Sequence, residues 1–297
     1  MIALLAALLV QTAEADPIGD LIASQAPAAE AMSDDVTSRI PSTASYFCRG
    51  EFVQGGVVLC NHPLEEITFS LGGSEGSAQA GDWVILGIHR DASEELEFGV
   101  GSTRLMQPIT QREYNIQTVT GVPQRTVTPD ESTLPRRQRE YAQKQAAFNS
   151  TWDGQGFLDG FIAPAEGITT GVYGSQRVYN GTPGNPHWGL DWANDVGTPI
   201  VAPAGGLVTL AEADMFYEGG LIFIDHGQGL VSAFLHMSAV HVSEGDIVTQ
   251  GQLIGEIGAG GRATGAHLDW RVKLRNGFYV DPALLMELDV SGLRDAE

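Results

Sequence analysis

Basic residues are scarce in this sequence: 16 Lys and Arg stand against 37 Asp and Glu, a formal charge of -21 over 297 residues. That balance excludes nucleic acid as a partner, because phosphate binding needs a basic face. It also excludes electrostatic adhesion to anionic lipid, and the acidity reads as solubility. Cysteine is equally scarce. Cys48 and Cys60 are the only two, too few to build a zinc site alone. They bracket Gly55-Gly56 between residues 51–53 and 57–59, which predicts a hairpin closed near its base by a disulfide. A pair of free thiols is the competing reading, and it requires a reducing compartment. Long apolar runs are absent beyond residues 2–10, so no segment has the ~20 residues of a membrane-spanning helix. No aromatic groove announces itself, which weighs against a glycan- or peptide-binding module.

What is abundant is glycine, 37 residues, with 14 prolines. So many turn formers favour β architecture. A hydrophobic content of 43% with 18% charged residues is that of a globular chain, long enough for about two domains. Residues 1–15 carry the run Ile2 to Val10 and then Ala13-Glu14-Ala15, the grammar of a signal peptide. Only the α-amino group is positive before that run, and a buried N-terminal helix is the alternative. The expected address is export, to a Gram-negative periplasm or outside the cell, with no integral membrane segment in the mature chain.

Residues 16–45 lack periodicity and read as a flexible N-terminus. Residues 46–117 hold short β runs separated by Gly and Ser clusters, the pattern of a small β-sandwich. His62 and His89 lie there without evident partners and read as structural or solvated. Residues 118–153 read as a linker with a helix starting at Pro135 and continuing through Arg136 to Phe148. Its arginines read as a solvated face or a contact to the acidic remainder. Residues 154–290 form an all-β domain, with runs at 199–201, 206–210, 220–224, 230–235, 245–248, 253–257 and 267–274 and no helical periodicity.

The chemistry concentrates there. His187 and Asp191 lie four apart around Gly189, and alternation along a strand puts positions 187, 189 and 191 on one face. His267 and Asp269 repeat the logic, and His236 closes the run Ala233-Phe234-Leu235. Imidazoles and carboxylates converging from three strands suit zinc with a position left for water. His226, His241, Asp195 and Asp225 read as turn, edge or core residues. Arg177, Tyr173 and Asn180 could line a groove by position, and Trp192 and Trp270 read as packing that limits water.

The ordered series His187-Trp188-Gly189-Leu190-Asp191, Gly197-Thr198-Pro199, Asp225-His226-Gly227, Phe234-Leu235-His236, Gly245-Asp246 and Thr264-Gly265-Ala266-His267-Leu268-Asp269 resembles the LytM/lysostaphin-type zinc endopeptidases. Those enzymes cut peptide cross-links of bacterial peptidoglycan. The resemblance covers the C-terminal two-fifths of the chain and implies one zinc ion on His187, Asp191 and Asp269, with His236 and His267 as catalytic residues. The family's third ligand is a histidine where this chain has Asp269, and a second carboxylate implies a weaker Lewis acid. Implied partners are peptidoglycan stem peptides or cross-bridges. The family also contains members without zinc that activate cell-wall amidases, so an inactive regulator of an amidase or divisome protein is the alternative.

Overall fold

The computed structural model describes residues 47–71, 74–119, 130–179, 181–275 and 277–293. The expected signal peptide and flexible N-terminus, most of residues 118–133, and Asn180 lie outside the described residues.

Seven strands come first: β1 (Phe47–Arg49), β2 (Val57–Asn61), β3 (Ile67–Leu71), β4 (Ser74–Ala78), β5 (Trp83–Gly87), β6 (Glu95–Val100) and β7 (Thr103–Pro108). They make two antiparallel sheets, β1-β2-β5 and β4-β3-β6-β7, packed around Val58, Cys60, Ile67, Leu86, Leu96 and Phe98. The sandwich expectation holds. The hairpin does not run where expected: Phe47–Arg49, not residues 51–53, pairs with β2, in the register Cys48↔Cys60. Positive φ at Gly50 and Gly55 turns the chain on either side of the predicted strand, leaving Val53 only a parallel bridge to Thr110. Cys48 and Cys60 are joined as a disulfide.

Because side chains alternate across a strand, β2 and β5 serve two cores. Val58 and Leu86 point into the sandwich, while Val57, Leu59 and Ile85 join the C-terminal core. The strand β8 (Ile116–Val119) and the helix α1 (Leu134–Phe148) follow. A short turn of helix over Glu131–Thr133 precedes α1, and Asp130 caps it by accepting from the Ser132 N–H.

The C-terminal region contributes β9 (Ile168–Gly171), β10 (Gln176–Tyr179), β11 (Thr182–Pro183), β12 (Gly189–Ala193), β13 (Pro199–Val201) and β14 (Gly206–Met215). It continues with β15 (Gly219–Asp225), β16 (Leu230–Val240), β17 (Ile247–Val248), β18 (Leu253–Ile257), β19 (His267–Leu274), β20 (Tyr279–Val280) and α2 (Pro282–Met286). Among the described residues ten strands form one sheet, whose main path is β17-β14-β15-β16-β19-β12-β9. The strand β10 lies apart, between β11 and a parallel β8. Helix α2 was not expected. Its five residues are too few to leave a period, and what starts it is local: Asp281 accepts from the Ala283 N–H, and Pro282 stands at the first helical position.

The central strands are apolar on both faces. Ile222, Ile224, Phe234, Leu268 and Trp270 fill the main core. Leu221, Phe223, Val231 and Leu235 face the other way and are covered by Ala147 and Phe148 of α1. The arginine-rich face of α1 is in part an intramolecular contact: Arg136 reaches Asp214 and Glu140 accepts from the Phe216 N–H, while Arg139 is exposed. Lys144 pairs with Glu218.

A polar chain crosses the main core. Trp270 Nε1–H donates to Ser232 Oγ (3.1 Å), Ser232 lies 2.8 Å from His226 Nε2, and His226 Nδ1 lies 2.8 Å from the Gly205 carbonyl. The carbonyl can only accept, so Nδ1 carries the proton and Ser232 donates to Nε2. Burial pushes the His226 pKa down to about 4, against an ordinary value of 6.5. The unfolded chain therefore takes up a proton here that the folded chain refuses, and stability is full above pH 6.5 and lost as pH falls toward 4. Between pH 7.5 and 4.5 this residue alone should remove about 2–3 kcal/mol. Urea unfolding of wild type and His226→Gln at both pH values checks this, and an undiminished pH dependence in the variant refutes it.

Candidate metal centre

The face of the sheet that α1 partly covers also carries the polar residues. On β19, alternation sends Leu268, Trp270, Val272 and Leu274 into the core and leaves His267, Asp269, Arg271 and Lys273 on the opposite face. On β12, Leu190 and Trp192 are core residues and Asp191 faces the other way. The two strands are antiparallel neighbours with Asp191 directly opposite Asp269. Like charges across a ladder repel, so this pairing requires compensation.

His187 precedes β12 rather than lying on it, yet it reaches Asp191 as expected. His187 Nε2 and Asp191 Oδ1 are 3.1 Å apart. The two atoms are not aligned as a hydrogen bond, and both are buried without any other hydrogen-bond partner among the described residues. Burial opposes charge on His187, but the nearby Asp191 outweighs it and raises the pKa above the ordinary value. Ligand atoms of His187, Asp191 and Asp269 all lie within 4.8 Å of one another.

Two glycines hollow out the space. A Cβ at Gly171 on β9 would sit 2.2 Å from Asp191 Oδ2 and 3.1 Å from His187 Nε2. A Cβ at Gly189 would sit 2.4 Å from Asp269 Oδ1. Two unpartnered buried donor atoms, a cradle that a methyl group would fill, and one imidazole with two carboxylates fit a divalent ion.

The expected position of His236 needs correction. It does not end a strand: β16 runs through it to Val240. It sits in a bulge with φ of 66°, where Leu235 and His236 together oppose Leu221. Non-glycine residues seldom adopt this conformation, and a bulge re-aims the side chain. The His236 N–H donates to the Glu218 carbonyl at 2.7 Å, which holds the bulge. The His236 and His267 ring centroids are 4.8 Å apart. Nδ1 of His236 lies 2.9 Å from the Gly260 carbonyl, and Nδ1 of His267 lies 2.9 Å from that of Gly265. Each Nδ1 therefore carries the proton, and Nε2 of the neutral ring keeps its lone pair. Burial and the neighbouring His267 push the His236 pKa below its ordinary value, so His236 is neutral at neutral pH.

One functional side chain escaped the sequence reading. Arg271 clamps Asp269, with Nε 3.0 Å from each carboxylate oxygen and Nη2 on Oδ2. Burial would raise the Asp269 pKa, but Arg271 outweighs it and lowers it. A carboxylate offers about four lone-pair sites, so the clamp leaves capacity for an ion. The signal was the two-residue spacing from Asp269, which places both side chains on one face of β19.

Other expectations resolve plainly. His89 does have partners: its ring lies 5.9 Å from Trp188 and 5.1 Å from Phe278, packing the sandwich against the motif. His62 is structural, its Nδ1 accepting from the Leu64 and Glu65 N–H groups. Tyr173 is buried and donates to the Tyr279 carbonyl, so it packs rather than lining a groove. Arg177 lies on β10, beside Gln117 of β8. His241 faces Glu256 at 3.2 Å, and the carbonyl of exposed Asp195 accepts from the Thr198 N–H. Asp225 stabilises a turn by accepting from the Gly227 N–H. Trp192 and Trp270 stack 6.1 Å apart beneath the site.

Residues 185–282 match Peptidase family M23. Among curated proteins, the chain is 37% identical over 90 residues to the peptidoglycan DD-endopeptidase ShyA of Vibrio cholerae, covering 30% of this chain and 21% of that one. The chain thus spans about a fifth of that relative's length. A crystal structure assigned to peptidase M23 from Pseudomonas aeruginosa is 29% identical, covers 80% of this chain and 95% of that one, and has a TM-score of 0.57. The catalytic domain of the prophage-encoded M23 protein EnpA from Enterococcus faecalis is 32% identical, with 41% and 95% covered and a TM-score of 0.36. The motif order, the β scaffold and the family match agree, and residues 185–282 form a domain of peptidase family M23.

Proposed function

We propose that this chain is an exported, zinc-dependent endopeptidase that hydrolyses peptide cross-links of bacterial peptidoglycan. One observation carries the reading: ligand atoms of His187, Asp191 and Asp269 converge within 4.8 Å of one another. The pair His236 and His267 lies on the same sheet with ring centroids 4.8 Å apart, and the charge of Asp269 is felt at His236. The DD-endopeptidase name of the Vibrio relative supports the substrate class. Export rests on the N-terminal sequence, and no helix among the described residues is long and apolar enough to cross a membrane.

His187, Asp191 and Asp269 would hold the ion. Zinc supplies Lewis acidity and activation of water near neutral pH. His236 and His267 take up and return protons at Nε2, a role that requires neutral rings. Their Nδ1 contacts to Gly260 and Gly265 hold the rings in the required tautomer. The stacked Trp192 and Trp270 close the floor to solvent. We read the sandwich, residues 46–117, as a support that positions the motif through His89 on Trp188, with residues 118–153 as linker and residues 154–290 as catalytic domain.

A second reading, a metal-free regulator that binds an amidase, draws on the same contact, because Arg271 already satisfies the buried Asp269 carboxylate without an ion. Elemental analysis of dialysed protein, followed by digestion of purified peptidoglycan with and without a zinc chelator, separates the two. The enzyme reading expects about one zinc per chain and chelator-sensitive release of cross-linked peptides. Metal-free protein that stays inert after zinc is supplied sinks it.

A further inference from the structure

We propose that Arg271 is a positioning residue that sets the charge of the metal centre for an aspartate at position 269 and excludes a histidine there. The inference rests on the zinc reading above. Asp191 and Asp269 are opposite one another across β12 and β19, so two carboxylates meet in a cradle with one imidazole. Asp269 is only 3% exposed, and a carboxylate so buried needs a partner. Arg271 supplies it in a forked, charge-assisted contact that also fixes the plane of the carboxylate. The guanidinium reduces the charge of the donor set from two negative to one negative.

Position 189 shows that the space is built for this pair. Gly189 lies directly opposite Arg271, and a Cβ there would sit 2.8 Å from Arg271 Cγ as well as 2.4 Å from Asp269 Oδ1. Arg271 is therefore drawn in against the site by the missing side chain of its cross-strand neighbour. A neutral imidazole at 269 would leave the guanidinium with no carboxylate in its fork, and a second cation would then sit beside a divalent one. That combination is unfavourable at short range in a partly buried site. Arg271 and Asp269 are thus one unit, to be exchanged together or not at all.

The test compares the full-length wild type, R271Q, D269H and the double variant D269H/R271Q. Zinc ion alone is the probe, and affinity is read by competition with a chromophoric chelator at one fixed pH. In the wild-type background R271Q should weaken zinc about 10-fold or more, as expected when the group orienting a ligand is removed. In the D269H background the same substitution should strengthen zinc about 10-fold or more. A merely structural arginine would weaken both. The inference is overturned if R271Q acts in the same direction in both backgrounds, or if D269H binds zinc as tightly as D269H/R271Q. Circular dichroism accompanies each variant. A D269H chain that fails to fold while the double variant folds supports the inference, and failure of both overturns it. Should the wild type hold no zinc while the double variant holds it, the zinc reading fails for this chain and the exclusion of histidine by Arg271 stands.

Discussion

Asp191→Ala is expected to lose its zinc and at least about 100-fold of its peptidoglycan-cleaving activity, since removing even a group that only orients a ligand costs 10–100-fold. The fold should survive. At a pH where His187 is neutral the metal-free protein gains little from Asp191, whose Oδ1 is buried without a hydrogen-bond partner and faces His187 Nε2 out of alignment. Deleting an unpartnered buried oxygen should change metal-free stability by no more than about 1 kcal/mol. The decisive measurement is the zinc-induced rise in melting temperature. A ligand at 100 times its dissociation constant stabilises the folded state by about 2.7 kcal/mol, and the variant should show none of this. A variant whose melting temperature still climbs with zinc would show that Asp191 is not a ligand. A large loss of stability without metal would show a structural role instead.

Much of this centre was legible in the sequence because strand geometry converts spacing into direction. Position 267 to 269 is one full period of a strand, and β19 begins at His267, so both side chains share a face. Glycine and apolar punctuation likewise marked Leu253–Ile257 and Pro199–Val201 at their observed ends. What the sequence concealed depends on distant chain. The φ of 66° at His236 is held by the Glu218 carbonyl and the Gly260 contact, and no local residue preference predicts a left-handed histidine inside a strand. The partners of His89 lie about 100 and 190 residues away in the chain, so nothing local to His89 announces them. Arg271 was visible by spacing and overlooked by type, because an arginine is never a zinc ligand. Its importance appears only when the carboxylate it holds is seen to be buried.

The centre should be sensitive to an added methyl group as well as to a deleted ligand. Gly171→Ala is expected to reduce zinc affinity by about 10- to 100-fold while leaving the fold nearly intact. The new Cβ would lie 2.2 Å from Asp191 Oδ2, 2.8 Å from its Cγ and 3.1 Å from His187 Nε2. Each of these atoms is at the far end of a side chain, so the carboxylate and imidazole can turn aside without moving the sheet. The β9 strand is also an edge strand, paired among the described residues only with β12, and it can yield slightly. Gly189→Ala provides the contrast. Its Cβ would lie 2.6 Å from the Trp270 carbonyl, which is backbone, and relief requires separating β12 from β19 in the middle of the core. That variant should lose about 2–4 kcal/mol of stability together with the metal, the range for overpacking compounded by a disturbed ladder. Urea unfolding without zinc and zinc titration of the two variants separate these effects. Equal stability losses at both positions would mean that Gly171 is required by the sheet rather than by the ion, and the cradle assigned to it would then have no role in binding.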